Sequence, residues 1–407
     1  MPSRFGSAEE SKVRIGFLTS SYPRYPDDHA GCFVRSLGRS LVARGHLVEV
    51  IAPLDPDLGF HLHDRGIEVF PVPCARDGNE SAFYGGGVLH NLQSDWRRWR
   101  SAWRFLSGAL AVLNERQRRW DAVVTHWAFP LGGLAALVGG PKARLAIWHS
   151  ADVWLALRLL GPKAWFLVRH WAHLHVFVAV HLAKRLGALG DKRTRVIPMG
   201  IDVPAPDALP APPPPRPFRA LVLSRLVPIK DIDFAISACV RAQVPLTIAG
   251  DGPERARLEA AWAGVPSIHW LGAISPQNLP KLFFEHDLLL LTSRFDPKGP
   301  WEGCPLAPRE AIAHGVPVLA TDTPPHRELA ARFGPAFMLA SPCEFASKLS
   351  GLARSPERLR SLAFEARHAI EQESWPSIAQ RFESCLAQAS DFSLGDGIKL
   401  GPVRLPI

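Results

Sequence analysis

The sequence predicts an α/β protein made of two doubly wound, Rossmann-like domains facing each other across a cleft. Three observations lead there. Short apolar runs alternate with helical patterns along most of the chain, the pattern of β–α–β units that build parallel sheets. The 407 residues are too many for one average domain. Between two such stretches, residues 204–217 are dominated by proline, which makes an extended, semi-rigid connector.

The elements follow in order. Val13 to Thr19 reads as a first strand, followed by a Pro/Asp/Gly loop from Tyr22 to Gly31. A helical pattern runs from Phe33 to Arg44, Gly45-His46 ends it, and Leu47 to Ala52 returns as a strand. Further strands are expected at Ala122–Thr125, Leu145–His149, Val176–Val180 and Arg195–Pro198, closing a first domain over residues 1–203. After the connector, Phe218–Ser224, Leu246–Ala249, Ile268–Leu271, Leu288–Leu291 and Val316–Ala320 are the expected strands of a second domain, residues 218–375. Trp375-Pro376 opens a last helical stretch, 376–390, and the tail 391–407 carries no legible signal.

Charge is unevenly placed. Residues 1–200 hold 26 Lys and Arg against 16 Asp and Glu, an excess of ten; residues 201–407 hold 21 against 22. A basic first half suits an anionic partner, either an acidic lipid surface or a pyrophosphate-linked acceptor; no nucleic-acid motif accompanies it. Within it, Trp96, Trp99, Trp103, Leu106, Leu110 and Leu113 step by three and four, with arginines beside them. Residues 96–119 therefore read in two ways: a helix lying on an anionic membrane, or a helix packing its tryptophans on its own sheet. No run of about 18 apolar residues is free of charges or breakers, so no membrane span is expected. The N-terminal residues lack the apolar core of a signal peptide. The six scattered cysteines, with no Cys-x-x-Cys pair, suit reduced thiols in the cytoplasm.

The chemistry gathers at strand ends. Glu302 and Glu310 stand seven residues apart between the expected strands 288–291 and 316–320, with Pro305 suited to a first helical position. Helix starts at the carboxyl edge of a parallel sheet attract anions. Carboxylates beside such a site make sense when they accept hydrogen bonds from sugar hydroxyls, and a nucleotide sugar supplies both phosphates and hydroxyls. Arg225 and Lys230 follow the strand ending at Ser224, where a basic pair can clamp a diphosphate. Gly250-Asp251-Gly252 follows the next strand, Gly31 lies in the first β–α loop, and His126 and His149 close two strands, with Asp152 just beyond His149.

Taken in order, these segments resemble the retaining glycosyltransferases of the GT-B fold, in particular family 4, from Arg14 to about residue 388. The resemblance implies that Glu310 holds the ribose and that Glu302 lies near the donor sugar. It also implies that the backbone of Gly303, Cys304, Pro305 and Leu306 meets the diphosphate, and that Arg225 and Lys230 neutralise it. Gly250 and Gly252 would lie near the nucleotide, though a plain β-turn explains them almost as well. His149 would sit beside the donor sugar, with Asp152 orienting it or binding acceptor. Gly31 would touch phosphate or acceptor unless it is a routine loop glycine. His126 would line the acceptor side unless it is a satisfied core histidine. The segment 376–390 would cross back onto the first domain.

The expected function is retaining transfer of a sugar from a UDP- or GDP-sugar to a glycan or lipid-linked acceptor. The setting is bacterial cell-envelope synthesis, in the cytoplasm, with a peripheral place at the inner face of the membrane left open. No cofactor and no metal are expected, since the resemblance implies positive side chains and helix ends where other transferases place a metal. Two departures from the family pattern stand out. Ser224 and Asp231 replace glycines around the Arg225–Lys230 pair, and a longer loop, residues 295–300, precedes Glu302. Two alternatives stay open: a small soluble acceptor, and a non-catalytic nucleotide-sugar binder. A nicotinamide-dependent enzyme is disfavoured because no Gly-x-Gly-x-x-Gly follows the first strand.

Overall fold

The computed structural model describes residues 12–55, 63–76, 81–85, 87–138, 143–205, 216–299 and 301–395. Most of the proline-rich connector (204–217) and of the tail (391–407) lies outside them.

The first sheet holds β1 (Arg14–Leu18), β2 (Leu47–Leu54), β3 (His63–Asp64), β4 (Ile67–Pro73), β5 (Ala122–His126), β6 (Ala143–Trp148), β7 (Leu174–Phe177) and β8 (Thr194–Val196). Their order is β3-β4-β2-β1-β5-β6-β7-β8, parallel except for the β3–β4 pair. The second holds β9 (Ala220–Leu223), β10 (Leu246–Ala249), β11 (Ile268–Gly272), β12 (Leu288–Leu291), β13 (Val318–Thr321) and β14 (Phe337–Ala340), in the order β11-β10-β9-β12-β13-β14, all parallel. Central strands covered on both faces need continuous apolar sequence, and Leu288-Leu289-Leu290-Leu291 supplies it. In each sheet the strand order reverses once at the middle, between β1 and β5 and between β9 and β12. Such switch points open a crevice at the carboxyl ends of the strands.

The chain crosses between the domains twice at one place. Ile201 N donates to Glu373 O at 3.0 Å, and Trp375 N donates to Ile201 O at 3.1 Å. The helix Trp375–Gly395 then buries Ile378, Phe382 and Leu386 in the core of the first domain, running past residue 390.

Several details depart from expectation. β3, β4 and β14 have no counterpart in the sequence reading: β3 is two residues long, β4 carries Pro71 and Pro73, which argue against a strand, and β14, Phe-Met-Leu-Ala, lacks β-branched residues. The strand expected over Val176–Val180 ends at Phe177, because Val180 already opens the helix Val180–Leu186. The helix after Glu302 starts at Ala307, so Pro308, not Pro305, occupies its first turn, and Glu310 lies in that same turn. The helix Arg98–Arg116 buries Ser101, Phe105, Ala109 and Leu113; of the expected stripe Leu113 is buried and Leu106 packs on the core, while Trp96, Trp99 and Trp103 are exposed. Small side chains set that face: a Cβ on Gly108 would come 2.5 Å from Val72 on β4, leaving no room there for indole rings.

Candidate functional site

The crevice between the two sheets is lined from both sides by strand ends. From the second domain, β9 runs into Arg225 and a 3-10 turn, Pro228–Lys230. Asp231, where the family pattern often has glycine, adopts φ 49° and ψ 53°, a left-handed conformation that a short polar side chain tolerates. The loop therefore turns without glycine. Thr292, just past β12, donates through Oγ1 to the Lys230 carbonyl at 2.9 Å and fixes the lysine from below.

Lys230 forms an ion pair with Glu302 Oε1, and His326 Nε2 lies 3.3 Å from Glu302 Oε2. Burial opposes ionisation of Glu302, but the Lys230 ammonium and the His326 imidazole hold its carboxyl well below the usual range. Glu302 is thus an anion with both oxygens engaged. Glu310 is the reverse case. Burial, and then the Asp202 carboxylate, push it up to about 7. Arg225 reaches towards the first domain, its Nη1 3.7 Å from where a Cβ on Gly87 would stand. Desolvation within the crevice lowers its pKa.

Gly250 and Gly252 support this loop from behind. A Cβ on Gly250 would fall 1.8 Å from Ser224 O, and one on Gly252 2.4 Å from Leu226 O. Leu226 N donates to Asp251 O at 2.9 Å. The glycines let two loops touch, which sets the position of Arg225.

From the first domain, β5 ends in His126 and β6 leads into His149. The two imidazoles stack with centroids 5.4 Å apart, and His126 Nδ1 lies 3.3 Å from His149 Nε2. Phe33 and Trp127 pack on His149 at 5.0 and 4.9 Å. Burial drives the His149 pKa down to about 3 and that of His126 well below its normal value, so both rings are neutral. His126 is completely buried and lies beneath His149 instead of facing the crevice. Asp152 is also buried: its Oδ1 accepts from the amides of His149, Ser150 and Val153 at 2.9–3.1 Å, so it fixes the His149 loop. Burial raises its pKa to about 6. Gly31, at φ 67°, begins the helix Cys32–Ala43 and packs on the Ser21 carbonyl.

The two halves meet at Gly303. A Cβ there would fall 2.0 Å from the His149 carbonyl oxygen, so only glycine permits this approach. The Cys304 thiol points away, accepting from Met199 N at 3.4 Å and contacting Arg309, while Leu306 packs against both cores. Pro305 lies in the loop before the helix. The longer loop before Glu302 lies on the first domain. Trp154 Nε1 donates to Lys298 O at 2.8 Å, Arg185 donates to Gly299 O at 2.8 Å, and the Arg185 guanidinium covers the Trp301 ring at 4.0 Å. His181, also in the first domain, bridges the Glu302 carbonyl at 2.8 Å and the Glu328 carboxylate at 2.7 Å. Glu328 further accepts from the amides of Val180 and His181, capping a helix of the opposite domain.

Sequence reasoning did not single out His326, His181 or Glu328. Only the Pro-Pro-His run opening the helix Pro324–Phe333 gave a local signal, that of a helix start just after a strand.

Comparison with known proteins bears on this geometry. The profile "Glycosyl transferase 4-like domain" matches residues 30–200, and "Glycosyl transferases group 1" matches residues 217–355. A GDP-mannose-dependent alpha-mannosyltransferase of Mycobacterium tuberculosis (strain CDC 1551 / Oshkosh) is 26% identical over 388 residues, covering 90% of this chain and 94% of that protein. Among solved structures, sucrose-phosphate synthase from Thermosynechococcus elongatus superposes with a TM-score of 0.69 at 18% identity, covering 92% of this chain and 98% of that one. Anabaena HepE in complex with UDP and glucose gives 0.64 at 17%, with 92% and 99% covered. The catalytic domain of starch synthase IV from Arabidopsis thaliana, bound to ADP and acarbose, gives 0.66 at 15%, with 94% and 100% covered.

Proposed function

This chain belongs to the family-4 glycosyltransferases of the GT-B fold and uses a nucleotide-sugar donor; from that premise we propose a retaining, metal-independent transfer in the crevice between its sheets, with GDP-mannose the first donor to test. The observation that carries this reading is the Lys230–Glu302–His326 constellation beside Arg225, pressed against His149 through Gly303.

Arg225 and Lys230 take the diphosphate and neutralise the charge that grows on it as the sugar departs. Both cations stand at the switch point of the second sheet, where a metal would otherwise serve. The Glu310 carboxylate accepts hydrogen bonds from the ribose hydroxyls. His149, neutral, offers a hydrogen bond to the donor sugar and does not cycle a proton near pH 7. Glu302 is tied to Lys230 and His326 and is a poor nucleophile. The acceptor hydroxyl therefore attacks from the face that the diphosphate leaves. The bond from the anomeric carbon to phosphate oxygen breaks, the bond to the acceptor oxygen forms on the same face, and the acceptor proton passes to the leaving phosphate. Closure over the crevice excludes water.

The proposed acceptor is a glycan or lipid-linked glycan of the bacterial envelope, at the cytoplasmic face of the membrane; the positive excess of residues 1–200 supports an anionic acceptor. The test is a screen of purified protein for nucleoside diphosphate release from UDP-, GDP- and ADP-sugars, followed by proton NMR of the product. Retained anomeric configuration with undiminished turnover in EDTA is the expected result. An inverted product, or loss of turnover in EDTA, overturns the mechanism.

A further inference from the structure

The helix Arg98–Arg116 lies on β2 and β4 through its small face, which leaves its tryptophans in solvent. Trp96, Trp99 and Trp103 are 68, 52 and 68% exposed, and Leu110 continues the row. The row spans about 20 Å along the helix, taking 1.5 Å per residue. Arg97, Arg100 and Arg104 are exposed beside it, Arg118 and Arg119 follow at its end, and no acidic residue occurs between Trp96 and Asn114. Three indoles on one exposed face are a large apolar patch for a protein surface. Indole rings combined with arginine suit the headgroup level of a bilayer, where the ring enters the acyl boundary and the cation meets lipid phosphate.

We infer that this outward face, Trp96–Trp99–Trp103–Leu110 with its flanking arginines, is a docking face for an anionic lipid bilayer. Charge complementarity selects that occupant. A second copy of the chain would bring like charges together across a two-fold contact. Single-stranded nucleic acid requires a groove that follows its backbone, and this surface is one convex helix. The face also adjoins the crevice. The short helix Val88–Ser94 leads from it back to Gly87, which lies against Arg225. An acceptor carried in the membrane would therefore meet the donor side over a short distance. The inference stands on the exposed residues themselves and does not depend on the transfer mechanism.

The test is co-sedimentation of the full chain with vesicles of phosphatidylglycerol and phosphatidylcholine, and with phosphatidylcholine alone. Wild-type protein sediments with the anionic vesicles and is released by salt. Changing Arg97, Arg100 and Arg104 together to Gln lowers partitioning on the order of a hundredfold, at about 1 kcal/mol per cation. Changing Trp96, Trp99 and Trp103 together to Ser also abolishes sedimentation, while circular dichroism and nucleoside-diphosphate binding stay unchanged. A control removes a different exposed apolar group, Leu159, Phe166 and Leu167, and leaves partitioning intact. The inference is overturned if wild-type protein ignores anionic vesicles, or if the tryptophan variant still binds. It is also overturned if the control variant loses binding, or if the tryptophan change instead dissolves a dimer in sedimentation velocity.

Discussion

Glu310 is the most exposed to test of the single residues. In the folded chain it holds its proton up to about pH 7, whereas the unfolded chain releases it near 4.5, as an ordinary glutamate does. The native state therefore binds more protons across that window. Its contribution to stability is complete below pH 4.5 and is lost as pH rises through 7. Glu310→Gln should then be more stable than wild type at pH 8, by up to about 3 kcal/mol, seen as a higher unfolding temperature, and show no gain below pH 4.5. The same variant should bind nucleoside diphosphate on the order of tenfold more weakly, since the charged acceptor is gone. Affinity of the wild type should rise as pH climbs through 7, which calorimetric titration at several pH values would follow. Lys230→Ala removes the cation proposed to clamp the phosphates and leaves Glu302 as a buried anion beside His326 alone. Turnover should fall by about a hundredfold or more with donor binding weakened, read in a nucleotide-release assay. Arg225, Lys230, Glu302 and Glu310 were legible in the sequence because each lies at a fixed offset from an apolar strand. His326, His181 and Glu328 were not, because each gains its partner only when distant strands or two domains are packed.

At the scale of elements, Gly303 is the narrowest fit. Gly303→Ala places a methyl group against the His149 carbonyl across the crevice, not inside either core. Each domain should keep its thermal stability while turnover drops at least about tenfold, from the loss of alignment between the halves. Wild-type turnover in the folded variant would show that the contact has no such role. The strands at the sheet centres were legible as apolar runs. β4 was hidden by its prolines, and β14 by its lack of β-branched residues. The helix Arg98–Arg116 exposes a limit of pattern reading: its apolar period was correct, but period alone does not say which face meets the sheet. Phe105 and Leu113 fill the core on that side, and Gly108 admits Val72 of β4 where a larger side chain does not fit.

The described residues form two largely parallel sheets whose switch points face one another, joined where Ile201 pairs with Ser374 and clasped at the crevice by His181, Glu328 and residues 297–299. The basic first half and the length of the chain already pointed to two domains and an anionic ligand. The clasp was not legible, since the loop before Glu302 shows its docking on Trp154 and Arg185 only in three dimensions. Glu328 is partly buried, which opposes ionisation, but its hydrogen bonds from His181 and the Val180 amide hold its carboxyl below the usual range. Its clasping contribution is therefore present above pH 4.5 and lost on acidification through its lowered pKa. Glu328→Gln should widen the average separation of the domains, seen as a larger radius of gyration in small-angle scattering at pH 7, with each domain intact.

The central claim is that a nucleotide sugar binds at the carboxyl ends of the second sheet, between the Arg225–Lys230 cations and Glu310. The most direct measurement is calorimetric titration of GDP, UDP and ADP into the wild type and into Lys230→Ala and Glu310→Ala. The account predicts saturable binding of at least one of these diphosphates to the wild type, and its loss in both variants. Equal affinity in all three proteins, or no binding to any of them, would contradict it.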